Sequence, residues 1–98
     1  MKVRDNASGI VFNVYAVYWK DAKTYFAYFP KKTTGLTVFG EEDVEIVDNA
    51  LCPDFVYWDK ALHGFYHRYL IEHKLLEPLF EHDGEAYKKF ASLLGREP

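Results

Sequence analysis

The 98-residue chain has little of what small catalytic or metal-binding domains commonly use. Its one cysteine, Cys52, excludes an internal disulfide framework and leaves zinc sites built from several thiolates without ligands. The only serines, Ser8 and Ser92, lie outside a G-x-S-x-G nucleophile motif, and the glycine-rich loops that cradle nucleotide phosphates are absent. We therefore expect no catalytic residues, no cofactor and no metal, and we interpret the protein as a non-enzyme.

Long hydrophobic runs are also missing. Residues 1–9 are polar and charged, and the apolar run that follows at 10–19 contains Asn13 and ends without a small-residue cleavage site. Neither a secretory signal nor a membrane-spanning helix is predicted, because the run is too short and its flanks are wrong. Together with the single thiol, this predicts a cytoplasmic protein that does not bind membranes.

Aromatic residues, in contrast, are abundant, with 8 Phe, 8 Tyr and 2 Trp. Each buried ring removes roughly 150–250 Å² from water, so even a short chain with many rings can build a core. No linker, low-complexity segment or repeat divides the sequence. We interpret residues 1–98 as a single domain, with 1–58 mainly strand and 59–98 mainly helix.

The first part of the chain has the β-branched and aromatic residues and the recurring turns of an antiparallel meander. Strands are predicted at residues 10–19, 24–29, 36–39 and 44–47, and residues 55–58 are either a fifth strand or a first helical turn. Simple alternation along the first strand places five residues on one face: Ile10, Phe12, Val14, Ala16 and Tyr18. The opposite face is nearly as apolar, so either helices cover it or the sheet curls into a small barrel.

The second part of the chain predicts two helices. Asp59 is a candidate N-cap for a helix over residues 60–75 that Pro78 ends, and Asp83 is a candidate N-cap for a helix over 84–94 that Gly95 ends. The broad apolar face of the first helix suits a sheet-covering role; its members are Ala61, Leu62, Phe65, Tyr66, Tyr69, His73 and Leu76. The predicted fold is therefore α+β: an antiparallel meander of about four or five strands covered by two C-terminal helices.

Three histidines have the spacing of the metzincin zinc motif H-E-x-x-H-x-x-G-x-x-H: His63, His67 and His73. Gly64 stands where that motif requires its catalytic Glu, and Leu70 stands where it requires the helix-breaking Gly. On an unbroken helix, His73 would point about 120° away from His67. We reject a zinc site and expect His63 and His67 to face solvent.

Charge is distributed unevenly behind a net value of −3. Residues 1–40 carry six basic and two acidic side chains, whereas residues 41–59 carry seven acidic side chains and no basic one. The simplest interpretation is that these acids solvate loops and strand ends. The functional interpretation is a negative surface that attracts a basic partner and discourages wrong ones.

The leading hypothesis is a protein-binding domain, most specifically a small acidic inhibitor or immunity-type protein. It would neutralise a basic toxin, such as a nuclease, by electrostatic capture, with aromatic residues beside the acids as anchors. The candidate partner-binding residues are Glu41, Glu42, Asp43, Glu45, Asp48, Asp54, Tyr57 and Trp58.

Two alternatives remain open. A sheet-based domain could bind nucleic acid or a ligand through basic and aromatic residues of the N-terminal half, namely Tyr15, Trp19, Tyr25 and Tyr28 with Lys20, Lys23, Lys31 and Lys32. Nucleic acid is the less favoured partner, because the chain is acidic overall and has no single-strand-binding motif. Self-association is the other alternative, since a second copy can complete a sheet that is apolar on both faces.

Overall fold

The computed structural model describes residues 1–29, 35–50, 53–60 and 62–95, and this part of the chain contains seven strands and three helices. The strands are β1 Lys2–Asp5, β2 Val11–Lys20, β3 Lys23–Tyr28, β4 Thr37–Gly40, β5 Val44–Asp48, β6 Phe55–Trp58 and β7 Gly64–His67. The helices are α1 Arg68–Glu72, α2 Leu76–Phe80 and α3 Gly84–Leu93, and a 3₁₀ turn, Glu41–Asp43, joins β4 to β5. The predicted α+β fold class is confirmed. None of the helices described is long and apolar enough to cross a membrane.

Strand β2 organises the sheet, in which every pairing is antiparallel. One edge of β2 pairs with β3, and β4 follows β3. The other edge is shared: its first part pairs with β1, where Val11 lies opposite Arg4, and its later part pairs with β7, where Tyr18 lies opposite Gly64. Strand β5 continues the sheet beyond β1, and β6 continues it beyond β7. The sheet therefore forks and stays open, so the curled barrel is not formed.

A β-bulge at Tyr15 changes which side chains share a face of β2. Val14 pairs with Tyr28 while Ala16 pairs with Ala27, so Tyr15 is an extra residue in the ladder. Tyr15 and Ala16 both pack in the apolar cluster between the sheet and the helices, whereas Val14 and Val17 pack in a second apolar cluster made of strand residues. The predicted face that joined Val14 to Ala16 and Tyr18 was wrong, because an inserted residue reverses the alternation beyond it.

Apolar side chains form two clusters on the two sides of the sheet. The helix-side core lies between the sheet and the helices, and its buried members are Ala16, Tyr18, Ala27, Phe29, Leu36, Tyr66, Leu70, Leu75, Leu79, Ala86, Tyr87, Phe90 and Ala91. The second apolar cluster is made of strand residues, namely Val3, Val14, Val17, Phe26 and Val44, with Met1 and Phe39 packed against it. Helices therefore cover one face, and the forked strands bury part of the other.

The predicted helix over residues 60–75 was wrong. Residues 64–67 form β7, which pairs on one side with β2 and on the other with β6, and helical structure begins only at Arg68. A Cβ at Gly64 would collide with the backbone of Val17 and Tyr18, so this close strand approach requires glycine. Pairing on both sides of β7 outweighs the helical periodicity of its aromatic residues.

The three predicted helix signals after residue 75 had different outcomes. Pro78 was expected to end a helix but lies in the first turn of α2, where backbone N–H groups need no helical acceptor and proline is tolerated. The Asp83 cap is confirmed, because its carboxylate accepts hydrogen bonds from the N–H groups of Glu85 (2.9 Å) and Ala86 (3.4 Å). Gly95 adopts a positive φ of 74° just beyond α3, as expected for a helix-ending glycine.

Candidate protein-binding site

Five of the candidate acidic residues lie together in the chain on the 3₁₀ turn and on β5; we call Glu41, Glu42, Asp43, Glu45 and Asp48 the acidic edge. All five are exposed. Val44 is buried in the second apolar cluster and anchors β5, while the N–H of Asn6 donates to the carbonyl of Asp43 at 3.0 Å. The turn and strand are thus fixed by apolar burial and backbone hydrogen bonds, and their carboxylates project into solvent.

Basic side chains neutralise part of the acidic edge. Arg4 Nη1 lies 3.3 Å from Glu45 Oε2, and Lys23 Nζ lies 3.7 Å from Glu42 Oε1. Lys2 stands opposite Asp48 in the β1–β5 register. Such exposed pairs contribute at most about 1 kcal/mol each. Five carboxylates with three basic neighbours leave a negative surplus.

Glu41 and Asp43 carry the least compensated charge at this edge. Within the described ranges, neither carboxylate forms an ion pair. Asp48 differs, because its Oδ1 accepts a hydrogen bond from the Ala50 N–H at 3.0 Å. Among the described residues, neither Glu41 nor Asp43 uses its carboxylate in an ion pair or a side-chain hydrogen bond.

Two apolar side chains on β5 are unusually exposed for residues of a strand. Ile46 retains 49% of its accessible surface and Val47 retains 40%. Lys2 lies opposite Asp48 while Val3 lies opposite Ile46, so Val47 is an extra residue in β5. Among the residues described, β5 pairs only with β1 and forms an outer edge of the sheet. Exposed carboxylates therefore precede and follow two exposed apolar residues along β5, an exposure that the charge pattern of the sequence did not reveal.

The other three candidate residues lie on or beside β6 and do not form one surface. Asp54 Oδ1 pairs with Arg68 Nε at 3.3 Å, and the Asp54 carbonyl accepts the Arg68 N–H at 2.7 Å, which ties β6 to α1. Tyr57 is 53% exposed and packs edge-on against Phe65 with ring centroids 5.5 Å apart. Trp58 packs against the helix-side core. Because neighbouring strand residues point to opposite faces, Tyr57 and Trp58 cannot anchor one partner together.

The rings of the nucleic-acid alternative are mostly inside the protein. Tyr15 and Tyr25 pack against the helix-side core, and Tyr28 is stacked on Phe12 with ring centroids 4.2 Å apart. Only Trp19 is exposed among the four, and it packs edge-on against Phe65 at 6.1 Å. Lys31 and Lys32 of this alternative lie outside the described residues, as does Cys52.

The prediction that His67 faces solvent was wrong, because its side chain is buried. Its Nδ1 accepts a hydrogen bond from the Tyr69 N–H at 3.2 Å and so caps α1, and burial lowers the pKa of the ring. Tyr66 donates a 2.6 Å hydrogen bond to the Leu62 carbonyl, and burial raises its pKa to about 12. Both side chains have structural partners. His63 is exposed, as predicted.

Known proteins add no further information on the site. Comparison of the chain with models of protein families, with curated proteins and with solved structures found no match. In the part of the chain that is described, no three His, Cys, Asp or Glu side chains are grouped so as to hold a metal ion. The function is therefore inferred from the geometry of the acidic edge itself.

Proposed function

We propose that the protein is a non-enzymatic binding domain that captures a basic protein through the acidic edge. The observation that carries this proposal is the exposure of Ile46 and Val47 on an outer strand among five exposed carboxylates. A protein interface combines apolar contact area with polar and charged side chains, and β5 exposes both kinds of side chain. The negative surplus speeds encounter with a basic surface, and the apolar pair supplies contact area once the partner is docked.

The backbone of β5 supports the same proposal. Its outer edge has no strand partner among the described residues, and free N–H and C=O groups at a sheet edge can pair with an extended segment of another protein. Carboxylates along that edge favour a segment rich in Lys and Arg and disfavour pairing with a second, equally acidic copy of β5.

The most specific form of the proposal is an inhibitor or immunity-type protein that acts in the cytoplasm on a basic toxin such as a nuclease. The small size of the chain, its net charge of −3 and its single cysteine support this form. A basic active-site surface would be blocked by the acidic edge, with Ile46 at the centre of the contact.

The test begins with capture of partners on the immobilised protein from a lysate of the cells in which it naturally occurs. The captured protein is then purified and titrated at increasing salt. We expect Glu41→Gln combined with Asp43→Asn to weaken binding by about tenfold or more at low salt, with less effect at high salt, because screening removes the same attraction. Ile46→Ser should weaken binding at every salt concentration.

The matched control is Glu72→Gln combined with Glu85→Gln, which removes the same number of charges from exposed positions on α1 and α3. This control should bind the partner as the original chain does. A partner whose affinity is independent of salt, or is reduced equally by both pairs of substitutions, would contradict electrostatic capture. Recovery of nucleic acid in place of a basic protein would instead favour the surface around Trp19.

A further inference from the structure

A groove of about 810 Å³ opens on the helix side of the molecule, between the β6–β7 strands and helices α1 and α2. Tyr66 and Leu70, which are almost completely buried, lie deepest among its lining residues. Four further apolar lining residues are half-buried: Trp58, Leu62, Leu76 and Phe80. The groove has the size and the apolar character of a small-molecule site.

Charged side chains line this groove unevenly. They are Lys74, Glu77 and Glu81. The N–H of Glu81 donates to the carbonyl of Glu77 at 3.1 Å, so the helical turn is intact and brings the two carboxylates to one side of α2. Within the described ranges, neither carboxylate forms an ion pair.

We propose that this groove binds a small amphiphilic amine, with its apolar body against Leu62 and Leu76 and its ammonium group at Glu77 and Glu81. Two adjacent carboxylates outweigh the single ammonium of Lys74, so the rim is complementary to a cation. The half-buried ring of Trp58 adds apolar contact area for the body of the ligand. This site is separate from the acidic edge, and neither proposal depends on the other.

The test uses three eight-carbon probes that differ only in their head group: octylamine, octanol and octanoate, each kept below its micelle concentration. The chain has two tryptophans, and Trp19→Phe leaves Trp58 as the only fluorescent indole. We expect saturable changes in Trp58 emission, with octylammonium bound about fivefold more tightly than octanoate and with octanol between them. Calorimetric titration of the unsubstituted protein repeats the measurement without any change in the groove or in Trp19.

Replacing Glu77→Gln together with Glu81→Gln should remove most of the preference for the amine, while octanol binds as before. Glu72→Gln with Glu85→Gln is the matched control and should keep the preference, because neither residue lines the groove. Leu76→Ser should weaken the binding of all three probes to the same extent.

Three results would overturn the proposal. The first is that none of the probes binds saturably in either measurement. The second is that octanoate binds as tightly as octylamine, or that the preference for the amine survives the double substitution. The third is that Trp58 emission changes with protein concentration when no probe is present, which would show that a second copy of the chain fills the groove.

Discussion

At the scale of single residues, the surroundings of His67 determine which protonation state the folded protein favours. The ring lies among aromatic neighbours, with centroids 4.9 Å from Tyr69, 5.9 Å from Tyr15 and 6.0 Å from Phe90. Burial is the main cause of its lowered pKa, and the carboxylate of Asp54 acts in the opposite direction. The folded protein therefore favours the neutral ring, whose Nδ1 can accept the Tyr69 N–H.

This preference predicts a loss of stability in mild acid. The ordinary pKa of 6.5 applies to the unfolded chain, so the contribution of neutral His67 is complete above that value and is lost as the pH falls through the lowered folded pKa. We expect urea unfolding to show a free energy of unfolding that falls as the pH is lowered below about 6.5. His67→Asn should flatten this decline, because asparagine can still cap α1 but does not titrate.

The exposed residue His63 provides the control for this measurement. His63→Asn should leave the decline in place, since His63 is exposed and does not form part of the buried surroundings of His67. An equally steep decline in the His67→Asn protein would assign the effect to other groups.

The fold also restricts the residue type at position 64 to glycine. An added Cβ would lie 2.7 Å from Tyr18 Cα and would also meet the Val17 carbonyl oxygen, both of them backbone atoms that cannot move aside. Gly64→Ala should lower the free energy of unfolding by at least about 2 kcal/mol, measured by urea or thermal unfolding. At Gly84 a Cβ would meet nothing within 4 Å, so Gly84→Ala should keep or slightly raise stability. Equal unfolding midpoints for the two variants would contradict the close approach of β7 to β2.

At the scale of elements, α3 depends on its first turn. It is the longest helix described, and it carries Phe90, whose ring centroid lies 4.8 Å from that of Phe29. Asp83 holds its N-terminus by two hydrogen bonds from backbone N–H groups. The cap therefore stabilises the helix that closes the helix-side core.

We expect Asp83→Ala to lower the free energy of unfolding by about 1 kcal/mol, because two helix N–H groups lose their acceptor. Asp83→Asn should lower the free energy of unfolding much less, since the amide oxygen can still accept hydrogen bonds from these N–H groups. Urea titrations followed by circular dichroism distinguish the two. If the alanine and asparagine variants lose the same free energy of unfolding, the charge at the helix terminus and not the hydrogen-bonded cap would be the stabilising feature.

At the scale of the whole molecule, local signals explain which elements the sequence could predict. Strands β2 to β5 follow from dense β-branched and aromatic residues between turns, and α3 follows from Asp83 and Gly95. Strand β7 could not be distinguished from a helix in the same way, because its identity is decided by pairing with β2 and β6. The bulge at Tyr15 has no sequence signal, so the faces of β2 could be assigned only up to that residue.

The candidate site was likewise predictable from the sequence only in part. The run of acids at residues 41–48 is visible in the sequence, but their partners are not, since Arg4 pairs with Glu45 across 41 positions. Ile46 also stands two residues after the buried Val44 on β5, yet the outer position of the strand leaves it exposed. Contacts between distant parts of the chain determine which predicted residues remain free for a partner.

The divided edge of β2 has a consequence for the order of folding. Hairpin β2–β3 and strand β4 are neighbours in sequence and can form early, but the part of β2 that pairs with β7 waits until β5, β6 and β7 have also been made. During synthesis, the apolar stretch from Ala16 to Tyr18 therefore presents unpaired backbone groups that can join the same stretch of another nascent chain. The strand that holds the native sheet together is thus also a segment exposed to aggregation until β7 has been made.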